Sequence, residues 1–218
     1  MIEYPRIVKA FAATGLAVRG GFAPAKADGL PGVRAVVLIG NAGPSMWQAF
    51  AAGRRDEPGP LDQWTKRIVD PIAADLGATA VHPNDKPFQQ FQRWAQRAEP
   101  VHPSPLGILI HPVFGLWHAY RTALLFSRAI NGLPARVDAP SPCESCAEKP
   151  CLTACPVSAF DGKIYNVAAC AGHLRSGAEP DCKNLGCRAR DACPVARDQR
   201  YTDEQIRFHM AAFVTSRA

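Results

Sequence analysis

All eight cysteines of this 218-residue chain fall in one stretch, at positions 143, 146, 151, 155, 170, 182, 187 and 193. Cys155 and Cys193 are each followed directly by proline. Iron–sulfur clusters need four thiolates converging on a compact core, and short cysteine spacings supply them from one loop. In the bacterial ferredoxin pattern three closely spaced cysteines serve one cluster, and the fourth, before proline, serves the other. Here the first run reads C-x2-C-x4-C-x3-C-P, two residues longer between its second and third cysteines. Exchanging fourth ligands in the ferredoxin manner groups Cys143, Cys146, Cys151 and Cys193 around one [4Fe-4S] cluster. Cys155, Cys170, Cys182 and Cys187 are left for a second, with room for one cluster to be degenerate. Zinc is the competing metal, since it also accepts four cysteines and C-x2-C spacing.

Composition bounds the setting. With 47% hydrophobic residues the chain can bury a real core, and it contains no apolar run of the eighteen or so residues that a membrane helix needs. Its first residues, Met1-Ile-Glu-Tyr-Pro-Arg-Ile-Val-Lys9, lack the basic-then-apolar pattern of a secretory leader. The expected address is therefore cytoplasmic, where clustered cysteines are metal ligands more often than disulfides. The formal charge of +6 suggests an affinity for nucleic acid or an acidic partner. Two four-iron clusters at roughly −2 each bring it down to about +2. With no basic block and no nucleic-acid motif, no nucleic-acid partner is expected.

Ahead of the cysteines the pattern alternates between helix and strand. Residues 3 to 14 suit a short amphipathic helix and Leu16 to Phe22 a strand. Val33-Arg-Ala-Val-Val-Leu-Ile39 reads as a buried strand entering a Gly40-Asn-Ala-Gly-Pro-Ser45 turn and a helix over 46–52. That turn suits either a cofactor cradle or an ordinary connection. Leu61, Trp64, Ile68, Ile72 and Leu76 recur at helical spacing, with Pro71 predicting a kink or two helices. A strand over 78–82 and a helix carrying Phe88, Phe91, Trp94 or Ala95, and Ala98 on one face follow. Leu106–Ile110 and Trp117–Phe126 are predicted as a hairpin at the heart of a sheet. Arg121, a lone cation in the second of these, calls for an internal carboxylate or an anionic ligand. Beyond the cysteines, Thr202-Asp-Glu-Gln205 offers a capping box, with Tyr201 and Ile206 as its hydrophobic staple, so the last helix should dock back on the core.

Two resemblances cover parts of this pattern. The cysteine stretch, with a lone Cys170 well before its last cysteines and a final Cys-Pro, resembles the two-cluster region of epoxyqueuosine reductases. Residues 70 to 126 resemble the cobalamin-processing CblC proteins, whose fold is related to flavin nitroreductases. The matching runs are Val81-His82-Pro83-Asn84 with Pro87, and Gly107-Ile-Leu-Ile-His111-Pro-Val-Phe-Gly115-Leu-Trp117-His-Ala-Tyr-Arg121. The second reads Gly115-Leu116-Trp117 where that family has Gly-Gly-Trp. What this likeness implies is a corrinoid pocket with His82, His111, Phe114, Trp117 and Arg121 as its cofactor-binding candidates.

The expectation is therefore an α+β protein. A nitroreductase-like, CblC-like sheet-and-helix domain spans 1–138, and a loop-rich, helical, ferredoxin-like two-cluster module with a C-terminal docking helix spans 139–218. Its expected function is redox: binding a corrinoid (cobalamin) and passing electrons to its cobalt, from a donor such as ferredoxin or flavodoxin. The alternative is a ferredoxin-like carrier whose first domain only docks a partner. No catalytic acid, base or nucleophile is assigned.

Overall fold

A computed structural model describes residues 2–217. In chain order it contains β1 (Ile2–Glu3), α1 (Tyr4–Phe11), β2 (Ala17–Phe22), β3 (Ala35–Ala42), α2 (Trp47–Gly53), α3 (Pro60–Asp75), β4 (Thr79–Val81) and α4 (Phe91–Ala98). There follow β5 (His102–Pro103), β6 (Leu109–Ile110), β7 (His118–Phe126) and β8 (Ile130–Asn131). The cysteine stretch contains α5 (Pro150–Thr153), α6 (Val167–Ser176), α7 (Cys182–Leu185) and α8 (Arg188–Asp191), and α9 (Asp203–Thr215) closes the described chain. The α+β expectation holds.

The chain divides into two compact units. The first runs to Pro100 and resumes over His118–Ala139; the second takes Val101–Trp117 and begins again at Pro140. The expected boundary near residue 138 thus has an extra element: residues 101–117 pack with the cysteines.

The first unit is built on an antiparallel sheet of order β2-β3-β7-β4. Val36, Val37, Leu38 and Ile39 are wholly buried, which is why β3 reads as a continuous apolar run instead of alternating. Burying each such side chain contributes about 1.5–3 kcal/mol. The ladder pairs Ala35 with Phe126 and Ala42 with His118, with an irregularity between Ile39 and Gly40. There a Cβ on Gly40 would stand 2.0 Å from the Ala119 carbonyl oxygen, so only glycine lets the two strands approach. Gly40 therefore belongs to the strand, and the expected loop begins later. Helix α3 packs on β4 and β7, and α4 packs on β2, β3 and β7. Pro71 lies inside α3, which is assigned as one helix over its full length. Phe88 is 68% exposed and lies outside α4, contrary to its expected place on that helix's buried face.

The hairpin predicted over 106–126 does not form. Strand β7 is an inner strand flanked by β3 and β4, whereas β6 pairs with β5 in a separate two-stranded sheet. Between them His111 and Gly115 exchange backbone hydrogen bonds of 2.9 and 2.8 Å, closing a tight turn within the second unit. The apolar character of Leu106–Ile110 signals burial correctly but cannot say against what. Leu106, Ile110 and Leu116 enter the core that contains Cys151, Cys193, Ala159, Phe160 and Ala189.

In the second unit α9 packs against α6 and α7. Thr202 caps α9, its hydroxyl accepting from the Gln205 amide at 3.2 Å. Tyr201 and Ile206 are buried together with Trp117. A Cβ on Gly186 would lie 2.8 Å from Ile206, so glycine just beyond α7 lets that helix dock. The last helix docks as its capping sequence predicts.

Candidate metal centre

The eight cysteines are brought together in the second unit, and none is in a disulfide. Short helices present them. Cys151 lies in α5 and Cys170 in α6; Cys182 opens α7, and Cys187 is the N-cap of α8. Asn166 and Asp181 cap α6 and α7 with side-chain oxygens 3.0 Å from Ala169 N and 2.9 Å from Asn184 N. Those caps set the phase in which Cys170 and Cys182 point inward.

Burial, first, raises the thiol of Cys143, and the neighbours that raise it further are Cys193, Cys151 and Cys146. Cys151 is raised by burial and then by Cys193 and Cys146. For Cys170 and Cys182 burial is again the first cause, and the neighbouring thiols are Cys155 for both and Cys170 for the latter. Cys187 is pushed up to about 11 by burial, with Cys170 and Cys182 beside it. The thiols so fall into two sets of four: 143, 146, 151 and 193, and 155, 170, 182 and 187. The second set lines an open cavity of about 300 Å³ together with Pro156, Val157, Phe160 and Met210. Each of these neighbouring thiols opposes the ionisation of the next, so the set stays protonated unless a cation joins it. A bound metal deprotonates them outright and removes the conflict.

Backbone donors already face the sulfurs. The Ala159 amide donates to Cys155 Sγ at 3.3 Å. At Cys193 burial raises the thiol and the Val195 amide opposes it; at Cys187 the Arg190 and Ala189 amides oppose burial in the same way. Both Cys-Pro-Val turns end on a residue in the left-handed region, Ser158 at φ 46° and Ala196 at φ 52°. Non-glycine residues cost of order 1–3 kcal/mol there, and such strain concentrates at functional sites.

One ion needs its donors on one point, and among the described residues no group of three or more His, Cys, Asp or Glu meets that requirement. A four-iron cluster sets a separate iron under each thiolate, so its ligands stand farther apart.

The remaining candidates are divided between the units. In the first, His82 and Arg121 line one open cavity of about 490 Å³ with Asp62, Lys66, Asn84 and Asp85. Both ring nitrogens of His82 are engaged, Nε2 with Asp70 at 2.9 Å and Nδ1 with the Thr122 hydroxyl at 3.0 Å. In the second unit His111 Nδ1 accepts from the Val113 and Phe114 amides at 3.0 and 3.3 Å, and its ring packs on Phe114 at 4.6 Å. Trp117 packs under the Arg190 guanidinium at 4.2 Å and against Tyr201 at 5.4 Å. Gly115 sits at φ 55°, where a Cβ would meet the Val195 carbonyl at 2.4 Å. The His-Pro-Val-Phe-Gly turn thus packs beneath Cys193-Pro194-Val195.

Sequence reading missed one buried polar cluster in the first unit. Arg19, 2% exposed, donates to both oxygens of Glu99 at 3.0 and 2.8 Å and to the Asn41 carbonyl at 2.7 Å. The Tyr120 hydroxyl donates to Glu99 at 2.5 Å. Arg19 and Glu99 stand 80 residues apart, so no local pattern announces the pair.

No protein-family model matches the chain, and no curated protein does. Solved structures do. An epoxyqueuosine reductase bound to an epoxyqueuosine-modified tRNA-Tyr stem loop is 14% identical with a TM-score of 0.52, over 92% of this chain and 68% of that one. The epoxyqueuosine reductase of Bacillus subtilis, its catalytic loop swung out of the active site, is 15% identical with a TM-score of 0.51, over 80% of this chain and 51% of that one. At such identity the likeness is one of fold. This chain spans about half the length of three of the epoxyqueuosine reductase structures that it matches.

Proposed function

We propose that the chain is an iron–sulfur electron-transfer protein holding two [4Fe-4S] clusters. Cys143, Cys146, Cys151 and Cys193 would hold one, and Cys155, Cys170, Cys182 and Cys187 the other. The observation that carries this reading is the separation of eight thiols, three buried and five half-buried, into two sets of four, six of them in or against one core. Each bound cluster supplies one-electron transfer. The chain's own part is to present the thiolates, direct amide dipoles at them and keep water away with Leu106, Ile110, Leu116 and Phe160. The fold shared with epoxyqueuosine reductases supports a reductase that takes electrons from a ferredoxin or flavodoxin. Protein purified without oxygen should be brown, with roughly eight irons and eight acid-labile sulfides per chain. Colourless protein with stoichiometric zinc overturns the reading.

A second reading adds cobalamin to the electron path, with a CblC-like, nitroreductase-like first unit. What favours it is that His82 and Arg121 do line one open cavity. Titration with cob(II)alamin tests it, and an unchanged corrinoid spectrum at high protein concentration rejects it. No nucleic acid belongs to either reading. Retention of an RNA stem loop at physiological salt would overturn that exclusion and extend the likeness to the RNA-bound neighbour.

A further inference from the structure

The open cavity lined by the second thiol set has one Lys or Arg among its described lining residues, Arg188, and no carboxylate. Arg188 is exposed, and so are Pro156 and Val157 of the same lining, Val157 at 37%. Lys183 and Leu185 of α7 are exposed as well, Leu185 at 53%. Each of these side chains lies within two residues of a ligand cysteine: Val157 of Cys155, Lys183 of Cys182, Leu185 and Arg188 of Cys187. Single exposed apolar residues are ordinary, but these stand on segments that converge on one cavity. The three carboxylates between residues 179 and 191 are occupied locally. Glu179 accepts from the Asp181 amide at 3.0 Å, Asp181 from the Asn184 amide and side chain at 2.9 and 2.6 Å, and Asp191 pairs with Arg200 at 2.8 Å. Among the described residues neither Arg188 nor Lys183 forms a salt bridge.

We propose that this face docks a small acidic one-electron carrier protein, and that electrons enter the chain at the cluster held by Cys155, Cys170, Cys182 and Cys187. The inference rests on the cluster assignment above. In the transfer the carrier is oxidised by one electron and the cluster reduced by one; no bond or proton moves. Electron tunnelling weakens steeply with distance, so entry takes place where a cluster is least insulated, as on the open side of this cavity. Protein contacts pair an apolar centre with a polar rim, and the Pro156-Val157 turn with Arg188 and Lys183 supplies both. Redox encounters need little more, since they bury less than about 1,200 Å². The partner is acidic because the unpaired charges of this face are both positive. A bound cluster of roughly −2 opposes such a partner, and Arg188 and Lys183 offset that charge at the point of contact.

The test is anaerobic stopped-flow mixing of the cluster-loaded protein with a reduced acidic [2Fe-2S] ferredoxin as the probe, at low and high salt. Dithionite, a small reductant that needs no docking, serves as the reference. We expect Arg188→Glu and Val157→Asp each to slow transfer from ferredoxin by about tenfold at low salt, the lower end of what electrostatic steering supplies. Arg54→Glu, an equal change of charge at an exposed site in the first unit, should stay close to the parent. So should Val113→Asp, 62% exposed in the turn beneath Cys193. The parent's rate should fall as salt rises, and the gap to Arg188→Glu should close near about 1 M, where the screening length is about 3 Å. Dithionite should reduce all of them alike. Should Arg188→Glu fail to load its clusters, Lys183→Glu takes its place. Unchanged rates in Arg188→Glu and Val157→Asp overturn the inference, as does a parent rate that does not fall with salt. So does the absence of transfer from ferredoxin to clusters that dithionite reduces. Each of these leaves the cluster assignment standing, whereas protein without iron and sulfide overturns the assignment itself.

Discussion

At the scale of single residues, the most informative groups are buried ones whose partners lie far off in sequence. Glu99 is held by Arg19 through two hydrogen bonds and by Tyr120 through a third. Removing one member leaves a buried charge uncompensated, which costs about 3–5 kcal/mol. Glu99→Gln should therefore lower the urea midpoint far more than Tyr120→Phe, which removes one hydrogen bond at about 1–3 kcal/mol. Equal effects would mean that Tyr120, not Arg19, is the main partner. Gly115 offers a second case, because alanine there must take φ 55° and meet the Val195 carbonyl. Gly115→Ala should displace the turn that carries Cys193 and cut the iron content by about half, the share of one cluster of two. Full iron content in that variant would separate the turn from the cluster.

At the scale of elements, ion pairs tie segments together and give the first unit its acid sensitivity. Burial acts to raise the Asp28 carboxyl, but Arg97 of α4 and the Ala25 amide outweigh it and hold it below its ordinary 3.8. Asp85 behaves alike: burial opposes, while Lys66 of α3 and the His82 amide prevail. A carboxyl depressed by folding contributes stability above its unfolded value, and that contribution is lost as pH falls through the folded one. Asp28→Asn should therefore melt below the parent at pH 7, and the gap should close as the pH falls below the ordinary carboxyl value and through the depressed one. A gap that persists in acid would show that packing, not charge, is what Asp28 supplies. The same scale shows why the helices were legible and one sheet was not. Helix α9 declared itself through Thr202 and Gln205, three residues apart, whereas the partner of β6 is β5, a two-residue strand containing Pro103. Leu106–Ile110 has the composition of a sheet strand, and composition does not specify which element it meets.

At the scale of the molecule, the two units draw their stability from different sources. The first has a four-stranded sheet with a fully apolar inner strand. The second has short helices of four residues in α5, α7 and α8, too short to be stable alone, around a core in which the thiols are prominent. On the proposed cluster assignment, metal binding is folding free energy for the second unit. Removing iron with a chelator under reducing conditions should strip hydrogen-exchange protection from 101–117 and 140–217 while the β2-β3-β7-β4 sheet keeps its own. Uniform loss across the chain would refute that division. The sequence alone determined what donors a bound metal would meet, since eight cysteines at short spacing with two Cys-Pro ends restrict them to thiolates whatever the fold. It also determined most local elements, because helical and strand periodicities and caps act over three or four residues. Only the tertiary structure decided that 101–117 backs the cysteines, that both ring nitrogens of His82 are engaged by Asp70 and Thr122, and that Arg19 meets Glu99. Those are contacts between distant parts of the chain, and a residue's type announces that it needs a partner without saying where the partner lies.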